Sequence, residues 1–447
     1  MKTISSILCL LISVFGYAQT QGNTAPEWSK NATIYEVNIR QFTKEGTFSA
    51  FQKHLPRLKA MGVDILWLMP IHPIGEKNRK GSLGSYYAVK DYKAVNPEFG
   101  TLADFNALVK SAHDLGMKLI IDWVANHTSP DNVWVDQGHK DWYTLDSTGN
   151  LQPTIGTDWW DVADLNYDNQ NMRTEMIESM KYWLTASNID GFRCDVAGWV
   201  PMDFWVTAKR ELDKVKPIFF LAESEGPEQH QAFQMTYAWE LHHLMNKIAQ
   251  GKENIDVLRA YLEKDKSYPT TAYRMSFTSN HDENSWNGTE MERMGDARHA
   301  MAVFSATFIG MPLIYNGQET SLDRRLLFFE KDSISWDKMD LVGFYTKLNT
   351  LFHENQALWN GQHGAKPQLI CEVSEKDVLA FSREKNGDKV IVVINLSNKT
   401  KSFKSASSAL KGKYTELFSG KTVKLKSSVS MELKPWSYTV YTRTSKK

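Results

Sequence analysis

Eight short apolar runs alternating with stretches of helical periodicity constrain this chain more than any other feature of its sequence. The runs are Ile34–Ile39, Asp64–Met69, Lys118–Asp122, Ile189–Asp195, Ile218–Glu223, Gln234–Trp239, Arg274–Asn280 and Met311–Tyr315. Runs of this length, bounded by polar and turn residues, read as buried strands. Between them, Phe48–Met61, Leu102–Leu115, Asn171–Ala186, Met202–Val215 and Asp296–Phe308 carry apolar residues at helical spacing, as Phe51, Leu55 and Leu58 do in the first. Strands that alternate with helices build a parallel sheet. No glycine-rich phosphate loop follows the first strand, which argues against a dinucleotide-binding open sheet. The pattern predicts an α/β fold whose core is a closed (β/α)8 TIM barrel.

One connection breaks the rhythm. Between Asp122 and the helix near Asn171 periodicity is lost, and Trp134, Trp142, Asp158, Trp159, Trp160 and Asp161 crowd together. A connection that long in a compact domain is usually functional, and here it is expected to form a small excursion over the barrel mouth. Beyond Trp359 the runs shorten and alternate: Asp377–Ser382, Lys389–Asn395, Lys413–Leu417, Val429–Leu433 and Tyr438–Thr442, with Asn386-Gly387-Asp388 as a turn. These predict an antiparallel β-sandwich. The expected division is an export signal over residues 1–18, the barrel over 19–122 and 171–358, the excursion over 123–170, and the sandwich over 359–447.

The amino-terminal expectation rests on Lys2, the apolar run Ile7–Phe15 and the small-residue cleavage site Gly16-Tyr17-Ala18. That run is too short to span a membrane, so no membrane insertion is expected, and the protein is read as exported, either periplasmic or secreted. Cys9 follows Leu8 within the run, which is the wrong setting for lipid attachment. Only Cys194 and Cys371 lie beyond the signal, too few for a disulfide framework. Lysines and arginines number 52, as do aspartates and glutamates, so no net field draws nucleic acid or an anionic membrane.

Barrel enzymes gather their active residues at the carboxyl ends of several strands. Those ends carry His127 after the third, Arg193 and Asp195 closing the fourth, Glu223 closing the fifth, and His281 and Asp282 after the seventh. Alternate strand residues share a face, so Arg193 and Asp195 point inward together while Cys194 points to the helices as a packing residue. The guanidinium favours an ionised Asp195, as a nucleophile requires, although a structural ion pair would look the same. Glu223 ends the buried run Ile218–Ala222. It is either a desolvated carboxyl with a raised pKa, suited to general acid work, or a strand cap facing solvent. Retaining glycoside hydrolysis needs two carboxyls about 5–5.5 Å apart, and neighbouring strands about 4.8 Å apart could supply them.

Ordered motifs identify a family that this chain resembles. They are Asp122-Trp123-Val124-Ala125-Asn126-His127, Gly191-Phe192-Arg193-Cys194-Asp195, Phe220-Leu221-Ala222-Glu223 and Phe277-Thr278-Ser279-Asn280-His281-Asp282, together with Ala163-Asp164-Leu165-Asn166 and the run Pro312–Glu319. Together they resemble the conserved regions of glycoside hydrolase family 13, the α-amylase family. The resemblance implies Asp195 as nucleophile, Glu223 as acid/base and Asp282 as transition-state stabiliser. It implies that His127 and His281 bind sugar hydroxyls, that Arg193 holds Asp195, and that Tyr87 stacks under the same sugar. Asn126 and Asp164 match positions that bind structural calcium in many members; the alternative is hydrogen bonding that ties the excursion to the barrel. No organic cofactor is implied.

Gly198 and Trp199 stand where many α-amylases carry Lys and His, which adds an aromatic platform on the leaving-group side. The run Asp195-Val196-Ala197, with Val200 and Phe204-Trp205, is similar to the cyclomaltodextrinase and neopullulanase group. The expected activity is hydrolysis of α-1,4-glucosidic bonds in starch-derived polysaccharides or maltooligosaccharides. A cyclomaltodextrinase, neopullulanase or 4-α-glucanotransferase is the alternative. A non-catalytic glucan-binding subunit would lack one of the three carboxylates, and all three are present.

Overall fold

Strand pairing in the computed structural model, which describes residues 23–372 and 374–445, closes a parallel barrel of eight strands. These are β1 Ile34–Val37, β2 Ile65–Leu68, β3 Lys118–Trp123, β4 Gly191–Cys194, β5 Phe219–Ala222, β6 Met235–Tyr237, β7 Tyr273–Ser276 and β8 Met311–Tyr315. Each strand lies within one of the predicted runs or one residue beyond it, and β1 seals the ring against β8 with Ile34 opposite Leu313. The expected export signal over 1–18 lies outside the described residues.

Alternation along each strand sorts the side chains. Ile34, Ile65, Trp67, Ile120, Phe219, Leu221, Met235, Tyr237, Met275 and Leu313 fill the barrel interior as one apolar cluster. The opposite faces, including Phe192, Cys194 and Phe220, join a larger cluster with the helices outside. One close contact fixes the spacing between β4 and β5: Gly191 has φ +155°, and a Cβ there would lie 1.9 Å from the Phe219 carbonyl oxygen. Only glycine allows that approach.

The helical layer differs from the prediction in two places. Phe48–Met61 forms two helices, Phe48–Gln52 and Leu55–Ala60, with Pro56 in the first turn of the second. Proline has no N–H to donate and belongs at a helix start. Between β5 and β6 there is only the 3-10 turn Pro227–Gln231.

Residues between Trp123 and the helix Gln170–Ala186 form the excursion, built on a two-residue ladder that pairs His127 with Asp164 and Thr128 with Ala163. Its Trp134, Trp142, Tyr143 and Leu165 are buried in the same cluster as Tyr92 and Trp123, so it is packed onto the barrel. Two more connections at the barrel mouth are long, residues 69–101 after β2 and 316–341 after β8.

The carboxyl-terminal module is an antiparallel six-stranded sheet beside a two-stranded pair, Lys401–Ala406 with Ser428–Leu433. Lys401–Ala406 was not among the predicted strands; Phe403 is its one large apolar residue. The sheet shares a core with the barrel helices Arg298–Thr307 and Val342–Glu354. Arg383, buried and with no acidic partner among the described residues, donates from Nη1 to the Thr307 and Phe308 carbonyls at 3.1 and 3.2 Å. It caps the end of Arg298–Thr307, and burial pulls its pKa down to about 9.

Candidate active site

Strand register places the acidic side chains. Asp122 on β3 lies opposite Arg193 on β4, and Arg193 lies opposite Leu221 on β5. Carrying the register two residues further sets Asp195 beside Glu223. Backbone bonds hold both past the strand ends: Asp195 N donates to the Trp123 carbonyl and Glu223 N to the Cys194 carbonyl, each at 2.9 Å.

One guanidinium gathers three carboxyls. Arg193, fully buried, donates from Nη1 to Asp122 Oδ1 at 2.7 Å and to Asp195 Oδ1 at 3.0 Å. Its Nη2 lies 2.9 Å from Glu223 Oε1, an ion-pair distance but off the hydrogen-bond line, and its Nε donates to the Tyr237 hydroxyl at 3.1 Å. Burial pushes the Asp195 carboxyl well up, and the Glu223 charge adds to it, against the pull of Arg193. Burial also raises Glu223 and Asp122, again opposed by Arg193. Arg193 thus pulls Asp195 toward its ionised form, while burial and the neighbouring Glu223 charge oppose that pull.

Val196 adds a feature the sequence reading did not assign. Its backbone is left-handed, φ 36° and ψ 44°, an uncommon state for a β-branched residue. That turn aims the Val196 N–H at Glu223 Oε2, 2.7 Å away. Strain of this kind clusters at functional sites.

The opposite wall is a hydrogen-bonded relay. His281 Nδ1 meets Glu36, which is fully buried on β1, and Nε2 lies 2.8 Å from the Tyr87 hydroxyl and 3.4 Å from Asp282 Oδ2. Burial lowers the His281 pKa, but Asp282 and Glu36 overcome it and lift the ring to about 9. As an imidazolium it donates from both nitrogens, so the Tyr87 hydroxyl accepts from Nε2 and donates a hydrogen bond to Asp122 Oδ2 at 3.1 Å. Tyr87 also stacks on His281, with centroids 5.5 Å apart and planes 20° apart. Asp282 is partly exposed and precedes the π-turn Glu283–Asn287, which carries Trp286 to the cleft.

His127 is the contrasting histidine. Burial alone pulls it to about 3, so it is neutral. Asn126 Nδ2 faces its Nδ1 at 3.2 Å, which leaves the proton on Nε2 as a donor.

These groups line a cleft of about 560 Å3. Tyr87, His127, Asp195, Glu223, His281 and Asp282 are all on its wall, and Arg193 lies beneath. Trp199 is not on that wall. It is 55% exposed and stacks on Trp159, which does line the cleft, with centroids 5.4 Å apart. Asp122, Glu36 and Tyr237 belong to the site and were not among the predicted residues, although the alternation that turned Arg193 inward also applies to them. Lys80, Trp286, Phe328 and Phe329 come from connections without a periodic signal.

Asn126 and Asp164 do not assemble a calcium cage. Asn126 Nδ2 donates to Thr154 Oγ1 at 2.9 Å, and Asp164 Oδ2 accepts from Thr144 Oγ1 at 2.8 Å. Among the described residues no three His, Cys, Asp or Glu side chains converge to hold a metal, whereas calcium takes six to eight oxygens.

A carboxyl pair on adjacent strand ends, beneath a cleft walled with aromatic rings, is equipped for glycoside hydrolysis. Comparison with known proteins agrees. The profile "Alpha amylase, catalytic domain" matches residues 17–340, and "Maltogenic Amylase, C-terminal domain" matches residues 370–440. An α-amylase from Lactobacillus plantarum superposes with a TM-score of 0.83 at 32% identity, covering 93% of this chain and 100% of that one. The noncanonic maltogenic α-amylase AmyB from Thermotoga neapolitana gives 0.84 at 29% identity, covering 93% and 99%. α-Amylase MalA of Haloarcula japonica is 27% identical over 401 residues, 86% of this chain; the chain spans 58% of that relative's length. This chain belongs to the α-amylase family of glycoside hydrolases.

Proposed function

We propose that this protein hydrolyses α-1,4-glucosidic bonds in starch-derived polysaccharides or maltooligosaccharides with net retention. The observation that carries the reading is the sharing of Arg193 by Asp195 and Glu223 on adjacent strand ends. Asp195, hydrogen-bonded at Oδ1 by Arg193, attacks the anomeric carbon as the carboxylate. Glu223, whose pKa burial raises, carries the proton that it gives to the leaving oxygen. It then takes a proton from the water that releases the sugar. Asp282 grips hydroxyls of the reacting sugar beside the His281 imidazolium, whose two N–H groups hold Glu36 and Tyr87, and His127 donates to the sugar from Nε2. The low dielectric of the buried floor strengthens these contacts as the oxocarbenium character develops.

Products from starch, pullulan, cyclodextrin and maltotriose, followed in time, test this reading. Shorter oligosaccharides from starch and maltotriose support it, and inactivity on all four removes it. The exposed Trp199 face against Trp159 favours a second reading, in which an acceptor sugar docks there and transfer competes with hydrolysis. Oligomers longer than maltotriose would report transfer. Lys2, the apolar run Ile7–Phe15 and the small residues after it support action in the periplasm or outside the cell. Among the described residues no helix is long and apolar enough to cross a membrane.

A further inference from the structure

The long connection after β2 crosses the cleft rim from one wall to the other. At one end Asn78 Nδ2 donates to the Trp160 carbonyl at 3.1 Å. Lys80 Nζ lies 3.1 Å from Asp161 Oδ1, donates to the Asp158 carbonyl at 3.3 Å and sits 4.3 Å from the centre of the Trp160 ring. At the other end Ser82 N donates to Glu330 Oε1 at 2.9 Å and Leu83 N to the Phe329 carbonyl at 3.0 Å. Gly81 lies between, with φ +63°, and a Cβ there would come within 2.5 Å of Phe329 Cβ. Beneath it the buried Arg40 donates to the Leu83 and Gly84 carbonyls, each at 3.2 Å. Both ends are tied, the middle admits no side chain, and the base is fixed.

Lys80, Trp160 and Phe329 line the same cleft as the carboxyls. The strap's partners come from the excursion and from the connection after β8. None of those contacts reaches Val196 or Glu223, at the ends of β4 and β5, where the leaving group departs. The strap continues instead into Ser85 and Tyr87, on the wall that holds the reacting sugar.

We propose that residues 78–83 shut the cleft beyond the reacting sugar on the side away from the leaving group, with Lys80 as the residue that sets the limit. This rests on the hydrolase reading above and deepens it. The protein then acts near free non-reducing ends of α-glucans and releases short products of fixed length. The Lys80 ammonium presents its N–H donors to the terminal hydroxyls, and Trp160 offers an apolar face to the last ring. A chain that continues past that point meets the strap.

The test compares two 4-nitrophenyl maltoheptaosides, one with a free non-reducing end and one with its terminal 4,6-hydroxyls bridged by an ethylidene group. The free substrate should be cleaved, and the blocked one roughly 100-fold or more slowly in kcat/KM. Equal rates overturn the strap proposal while leaving the hydrolase reading intact. Inactivity on both overturns the two together. The wild-type comparison does not depend on any variant folding. In Lys80→Ala combined with Asp161→Asn, which strands no buried carboxylate, the ratio of the two rates should move toward one and the products should broaden in length. An unchanged ratio in the folded double variant overturns the role of Lys80.

Discussion

The floor of the cleft and its rim are built by different means. On the floor, Asp122, Arg193, Asp195 and Glu223 lie at strand ends or one residue past them, where backbone register sets their positions. On the rim, Lys80, Trp160, Trp286 and Phe329 come from long connections, and Trp160 and Trp286 are 58% and 51% exposed. Floor geometry is held by a hydrogen-bonded ladder, rim geometry by a few side-chain contacts. Bond-making steps tolerate little displacement and belong on rigid elements, while selection among substrates tolerates more. Changes on the floor should therefore cost rate, and changes on the rim should alter which substrates are used and which products appear.

The largest effect expected is at Asp195. Asp195→Asn removes the attacking oxygen without changing side-chain size, so turnover should fall by several orders of magnitude with the melting temperature nearly unchanged. Substantial residual turnover would break the assignment of the floor to chemistry. Glu223→Gln should be nearly as severe on maltooligosaccharides and far milder on aryl glucosides whose leaving group needs no proton. Equal losses on the two substrate types would count against Glu223 as the acid.

His281 sharpens the comparison through pH. Its pKa rises from 6.5 to about 9 on folding, so its contribution to stability is complete below about pH 6.5 and is lost as pH climbs through about 9. Wild-type melting temperature should therefore decline across that window, and His281→Gln should flatten the decline. Parallel curves for the two proteins would show that the charged ring is not held by Glu36 and Asp282.

Trp199→Ala should have the smallest effect. Loss of stacking on a sugar costs on the order of 0.5–1.5 kcal/mol by analogy with aromatic pairs, seen as a raised KM and less transfer relative to hydrolysis. Lower thermal stability with an unchanged product ratio would mean that Trp199 only braces Trp159.

Legibility in the sequence follows the same division. A parallel barrel writes itself as apolar runs at regular intervals, and inward alternation from Arg193 leads to Asp195, whereas Glu223 shows only as the end of a buried run until the register of β4 with β5 sets it beside Asp195. Glu36 and Tyr237 obey that alternation too, but a lone acidic or aromatic residue in a short run carries no mark of its partners across the barrel. Nothing in the sequence indicates the left-handed turn at Val196, because it arises where β4 ends against Glu223. The strap from Asn78 to Leu83 is invisible for a similar reason: Lys80 and Asp161 are far apart along the chain, and no period links them. The split of Phe48–Met61 at Pro56 is the opposite case, since a proline within a helical pattern gives its own warning.

The most direct test of the floor is the stereochemistry of the first product. Maltopentaose hydrolysis followed by proton NMR in the first minutes, before mutarotation, resolves the two anomers of the released sugar. Attack by Asp195 on one face of the sugar, followed by attack of water on the opposite face that the leaving group has vacated, gives the α-anomer first. Initial release of the β-anomer would mean a single displacement by water between more widely spaced carboxyls, and would contradict the pairing of Asp195 with Glu223.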